Sequence, residues 1–147
     1  MKRRWLMMLA VGLMLAADDA KSDANKKEIK AFEGTWKWVS LEINGKEQPA
    51  DLFKGSRLII TGDKFASTEG EETLHGTFKV DVAKKPMTVD VTFNDGPDKG
   101  KTLQGIYELT GDTYKVCMGL PGKKRPTEFV TKPDSGHVLE VLKRQKR

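Results

Sequence analysis

A single cysteine, Cys117, has no partner for an internal disulfide and rules out a cysteine-rich metal site. The two histidines, His75 and His137, stand in neither His-x-His nor His-x-x-x-His spacing, so no metal centre, haem ligation or other cofactor is expected. Positive charge is not concentrated either. The 26 Lys+Arg are interleaved with 21 Asp+Glu for a net charge of +5, which does not support nucleic-acid binding. After Phe32 no stretch keeps a helical period, and 14 glycines and six prolines cut the chain into short pieces. What remains, 147 residues at 37% hydrophobic and 32% charged, has room for one domain with a real core. A disordered tail and a polytopic membrane protein are both excluded.

The first feature present is a targeting segment. Lys2-Arg3-Arg4 forms a positive head, and the apolar run Trp5 to Ala17 follows before the chain turns polar. That order is the order of a secretory signal. Spanning a bilayer takes roughly 20 apolar residues, and this run is too short. Small residues place cleavage after Ala24 or after Ala17. No cysteine immediately follows the run, so a lipid anchor is not expected. The reading is an exported protein, periplasmic or extracellular, with no membrane span after signal removal. Residues 1–24 are signal and linker, and 25–147 form a single domain.

The mature chain alternates β-branched and aromatic residues with turn signals. Strands are predicted near 35–43, 57–61, 64–68, 74–82, 87–93, 102–109, 112–118, 127–131 and 137–144. Residues 24–30 read as polar linker with at most one helical turn at Ile29–Phe32. Connections of two to eight residues suit antiparallel neighbours, since parallel crossovers need about a dozen. Thr-Gly-Asp occurs at both 61–63 and 110–112 as shared turn chemistry. Taking Thr110-Gly111 as a two-residue loop pairs Tyr107 with Tyr114. It puts Leu103, Gly105, Tyr107, Leu109, Tyr114, Val116 and Met118 on one face. A connection through residues 82–85 pairs Phe78 with Val89 and collects Leu74, Phe78, Val80, Val89, Val91 and Phe93.

One-sided sheets of this length must bury the apolar face. With no helix in sight to cover it, closure into an all-β antiparallel barrel of about eight strands satisfies the requirement and removes the edges. Gly76 and Gly105 fall mid-strand on the inward side, where a barrel bends. The inward aromatics are Trp38, Phe65, Phe78, Phe93, Tyr107 and Tyr114. They can fill the interior as core or line a cavity for one small ligand.

Gly34-Thr35-Trp36 at the start of the first strand resembles the signature of lipocalin-like barrels. In such barrels the tryptophan plugs the closed end and an arginine near the last strand stacks across it. The resemblance assigns those structural roles to Trp36 and Arg144. More of the chain, Pro86-Met87-Thr88-Val89-Asp90, Gly100 to Tyr107, Gly111-Asp112, Cys117 and Arg125 to Phe129, resembles an uncharacterised planctomycete lipocalin-like domain family. The resemblance implies a lipocalin-like barrel, similarly preceded by an export signal in many members, and it carries no established ligand or catalytic residue.

Chemistry has few candidates. Cys117, His75 and Asp90 are the one trio able to imitate nucleophile, base and orienter, but Asp90 and Cys117 lie on strands separated by a third. At a strand spacing near 4.8 Å that leaves about 10 Å between them, too far for a hydrogen bond. No catalytic residue is assigned. The loop Pro121-Gly122-Lys123-Lys124-Arg125-Pro126 is the most basic feature after the signal. At a barrel mouth it would hold an anionic head group; otherwise it is a solvated loop. The first functional reading is therefore a barrel that binds a small apolar molecule or an anionic amphiphile through Trp38, Phe78, Tyr107, Tyr114, Met118 and Arg125. The alternative is a module that binds an envelope protein, or acts as an inhibitor, through its outer face. A hydrolase or isomerase is the third class and has no credible site.

Overall fold

The computed structural model describes residues 20–146; the predicted export signal and the earlier of its two cleavage points, after Ala17, lie outside them. The described chain opens in a helix, α1, running from residue 20 to residue 31. Nine strands follow: β1 (Gly34–Ile43), β2 (Lys46–Glu47), β3 (Arg57–Thr61), β4 (Lys64–Glu69), β5 (Glu72–Asp81), β6 (Met87–Phe93), β7 (Thr102–Thr110), β8 (Thr113–Gly119) and β9 (His137–Arg144). A 3-10 turn, Ala50–Leu52, lies between β2 and β3. Each long strand pairs antiparallel with the next, and β1 pairs with β9, which closes eight strands into a barrel with β2 as a short flap on β1. No helix of the described residues is long and apolar enough to cross a membrane.

The inward face follows the alternation of the sequence, but the registers differ from those the turns suggested. Tyr107 pairs with Val116 and Leu109 with Tyr114, because the tight turn is Gly111-Asp112 rather than Thr110-Gly111. Gly111 has φ 58° and Gly62, in the matching β3–β4 turn, has φ 60°. Each Thr-Gly-Asp thus uses its glycine as the first turn residue, where positive φ costs a glycine nothing. Phe78 pairs with Val91 rather than Val89, since the β5–β6 connection is longer than four residues and the last pair is Asp81–Thr88. Both slips are by two residues. A shift of two keeps every side chain on its face, so the inward sets survive.

Gly76 and Gly105 are both buried on that inward face. A Cβ at Gly76 would lie 2.2 Å from the Thr92 carbonyl oxygen and 2.5 Å from the Phe65 ring, and one at Gly105 would lie 2.7 Å from the Cys117 carbonyl oxygen. These positions are glycine because neighbouring backbone and an aromatic ring occupy the space of a side chain.

Two segments depart from the sequence reading. Residues 24–30 are not linker: they belong to α1, which lies across one end of the barrel. The side chains that dock it are Lys21, Asn25, Glu28, Ile29 and Phe32, spaced along one helical face. Three of the five are polar. Lys21 pairs with Asp81 at 3.1 Å, Asn25 Oδ1 accepts from the Val82 N–H at 3.0 Å, and Glu28 Oε2 accepts from the Tyr107 hydroxyl at 3.1 Å. A face carried by hydrogen bonds leaves no apolar stripe to detect.

The predicted strand at 127–131 is not formed. The 120–136 segment is instead a strap over the outside of the barrel. At its start, Arg125 donates to the Gly105 and Val89 carbonyls at 2.8 and 3.3 Å and to Asp90 at 2.7 Å. Towards its end, the Thr131 hydroxyl donates to Glu42 at 2.7 Å and accepts from the Gly45 N–H. Beneath it the outward side chains Ile106 and Cys117 are buried, as neighbours on paired strands. An apolar pair on an outer face needs a cover, and the strap supplies it.

Candidate functional site

The barrel has a sealed end and a hollow one. At the sealed end Phe32, the residue after α1, is buried and makes edge contacts with Phe78, Tyr107 and Tyr114 at centroid distances of 5.5, 5.2 and 5.1 Å. Trp36 is fully buried beside it, and its indole N–H donates to the Phe32 carbonyl at 2.8 Å. The Arg144 guanidinium lies 4.4 Å over the Trp36 ring. The same guanidinium donates to the Ala31 carbonyl at 2.7 Å, to the Glu33 carbonyl and to Asp112 at 2.9 Å. Arg144 therefore stacks on the plug and satisfies carbonyls at the C-terminal end of α1, where a cation is favoured.

Above this floor is a cavity of about 210 Å³. Its wall runs from Phe32, Phe78 and Tyr114 at the floor to Leu74, Phe93, Leu103 and Glu69 at the far rim, with Trp38 and Met118 between. It is apolar almost throughout. Among the described residues the lining includes Ser67, Glu69 and Glu140 with the amphipathic Trp38 and Tyr114, and no lysine or arginine.

Glu140 is the unusual member. A β-bulge in β1 between Trp38 and Ser40 brings Leu41 opposite Glu140, which β8 flanks with Val116. Apolar neighbours on both sides leave the carboxyl poorly solvated. Burial pushes its pKa from 4.5 up to about 7; hydrogen bonding from the Trp38 side chain pulls it down, and the Glu69 charge adds to the rise. Tyr114, on the adjacent strand, has its phenol held neutral far above the ordinary range, by burial first and then by the Glu140 charge.

Four of the six residues read from sequence as ligand-binding, Trp38, Phe78, Tyr114 and Met118, line the cavity together. Tyr107 is fully buried in the sealed floor, its ring against Phe32 and its hydroxyl on Glu28, and is not part of the wall. Its phenol is also pushed up by burial, then by Glu28. Arg125 is on the outer face in the strap, tied to Asp90, and the loop it belongs to does not reach the cavity. The Lys123-Lys124-Arg125 loop is therefore not at the mouth of this cavity, whose ionisable side chains among the described residues are the Glu69 and Glu140 carboxyls and the Tyr114 phenol.

Glu140 itself was within reach of the sequence. With Arg144 over Trp36, counting back by twos along β9 places Leu142, Glu140 and Val138 inward.

The cysteine trio is dispersed. His75 Nδ1 is 2.7 Å from Asp95, Asp90 is held by Arg125, and the Cys117 thiol is 3.8 Å from the Val130 carbonyl under the strap. Burial, then the Glu42 and Glu140 charges, push that thiol up to about 11, so it is protonated and a poor nucleophile at neutral pH. His137 Nε2 is 3.2 Å from the Lys124 carbonyl oxygen. Comparison of the chain with protein-family models, with curated proteins and with solved structures finds no match.

Proposed function

We propose that this protein is an exported lipocalin-like carrier that binds one small, mainly apolar molecule inside its barrel. The observation that carries the reading is the cavity of about 210 Å³ walled by Trp38, Phe65, Phe78, Phe93, Leu103 and Met118 above a sealed aromatic floor. A dry cavity of about 150 Å³ accommodates benzene, so this one suits roughly eight to twelve non-hydrogen atoms. Each buried CH₂ contributes about 0.8 kcal/mol, and contacts of that kind dominate the wall.

A polarity-sensitive dye displaced by 3-phenylpropanol tests the reading. The alcohol is expected to bind with a Kd on the order of 10–1,000 µM, the range ligand efficiency allows for a molecule of this size. Leu103→Trp, which fills the cavity from β7, is expected to abolish binding, while Val130→Ser on the outer strap leaves it unchanged. Binding that survives Leu103→Trp in a folded protein contradicts an interior site. The outer-face alternative has weaker support: the exposed Val39, Leu52, Ile59, Leu120 and Val130 are scattered over β1, the 3-10 turn, β3 and the strap.

The export reading gains a constraint from α1. The helix begins its contacts with the barrel at Lys21, through the 3.1 Å pair with Asp81. Cleavage after Ala17 retains that pair, whereas cleavage after Ala24 removes it and makes Asn25 the terminus. N-terminal sequencing of protein from the producing cell is expected to begin near Asp18. A start at Asn25 contradicts the earlier cut, and an intact Met1 contradicts export.

A further inference from the structure

We propose that Glu140 makes the barrel selective for a small aryl or alkyl amine, whose ammonium group pairs with the Glu140 carboxylate inside the cavity. The inference rests on the ligand reading above and specifies its chemistry. Three features support it. The cavity wall is apolar except at a few points, and among the described residues the ionisable side chains that line it are two carboxylates and the Tyr114 phenol, with no lysine or arginine. Among the described residues Glu140 has no cationic partner, whereas Asp81, Asp90, Asp98 and Asp112 each pair with a lysine or arginine. The second carboxylate, Glu69, is exposed at the rim of the same cavity and favours entry of a cation.

Placing an ammonium beside Glu140 satisfies a carboxylate that the fold leaves without a counter-charge, and the low local dielectric strengthens the attraction. The amine must shed its own water, so selectivity rather than very high affinity is the expected signature. A carboxylic acid of the same shape would instead bring a second negative charge to a wall that already has two carboxylates. The aromatic floor of Phe32, Phe78 and Tyr114 receives the apolar end of the ligand.

The test compares three probes of one shape, 3-phenylpropylamine, 3-phenylpropanol and 3-phenylpropanoic acid, on the full protein and on Glu140→Gln. It is run near pH 8, where Glu140 is ionised and the amine protonated. A charged hydrogen bond implies that the protein binds the amine about 10- to 100-fold more tightly than the alcohol. The acid is expected to bind least. Glu140→Gln is expected to bring the amine and alcohol to within about threefold of each other, with the larger loss on the amine. Equal binding of amine and alcohol by the unmodified protein, tighter binding of the acid, or an amine preference that persists in Glu140→Gln overturns the proposal with the cavity reading intact. Failure of all three probes on both proteins overturns the cavity reading as well.

Discussion

Trp36→Ala is expected to destabilise the protein by about 3–5 kcal/mol, the scale for truncating a large buried aromatic. Against a total stability of about 5–15 kcal/mol for a domain of this size, that is a large share. The substitution does three things at once. It opens a void beside Tyr114, whose ring meets the indole at 5.9 Å and the Phe32 ring at 5.1 Å between centroids. It removes the donor to the Phe32 carbonyl, and it takes away the surface on which Arg144 lies. Arg144→Ala is expected to cost less, because the plug remains in place while the carbonyls of Ala31 and Glu33 lose a donor. Since the two side chains stack, the double variant is expected to be more stable than the sum of the single losses predicts, by about 0.5–2 kcal/mol. Urea denaturation of the four proteins in the cycle reads this directly, and additive losses contradict the stacked plug.

Glu140 sets the second large effect. Its folded-state pKa, about 7, is above its ordinary 4.5, so between those values the folded protein holds a proton that the unfolded chain has released. Stability tied to this group is therefore fully present below about pH 4.5 and lost as pH rises through 7. A rise of this size corresponds to a loss on the order of 3 kcal/mol above pH 7. Glu140→Gln keeps the shape and removes the ionisation. It is expected to match the parent at pH 4 and to exceed it by on the order of 3 kcal/mol at pH 8. Equal stability of the two proteins at both pH values contradicts a poorly solvated carboxyl at this position. That the chain keeps a glutamate where glutamine or leucine would stabilise it accords with a binding role.

The strands of this barrel were legible because period-two alternation survives errors of register. Moving the β7–β8 turn from Thr110-Gly111 to Gly111-Asp112 shifts the pairing by two and returns Tyr107, Tyr114, Val116 and Met118 to the same face. Trp36 and Arg144 were legible from a resemblance, and their 4.4 Å stack gives the pair a local physical basis. What could not be read has equally local causes. α1 docks through Lys21, Asn25 and Glu28, so its inner face looks like any solvated helix or linker. Thr127 to Thr131 has the composition of a strand, yet the eight barrel strands are closed once β1 meets β9, and the segment crosses the outside instead. Arg125 lies in a basic loop, but Asp90 and two backbone carbonyls claim its guanidinium. Local sequence marked the charge and not its partner.

The central claim, that the ligand sits inside the barrel, is tested most directly by a heteronuclear NMR titration with 3-phenylpropanol. The account predicts intermolecular contacts and chemical-shift changes at Phe78, Phe93, Leu103 and Met118, with Ile106 and Cys117 under the outer strap unaffected. Shift changes confined to the strap and the outward face of β7 and β8, with the inward set silent, would contradict it.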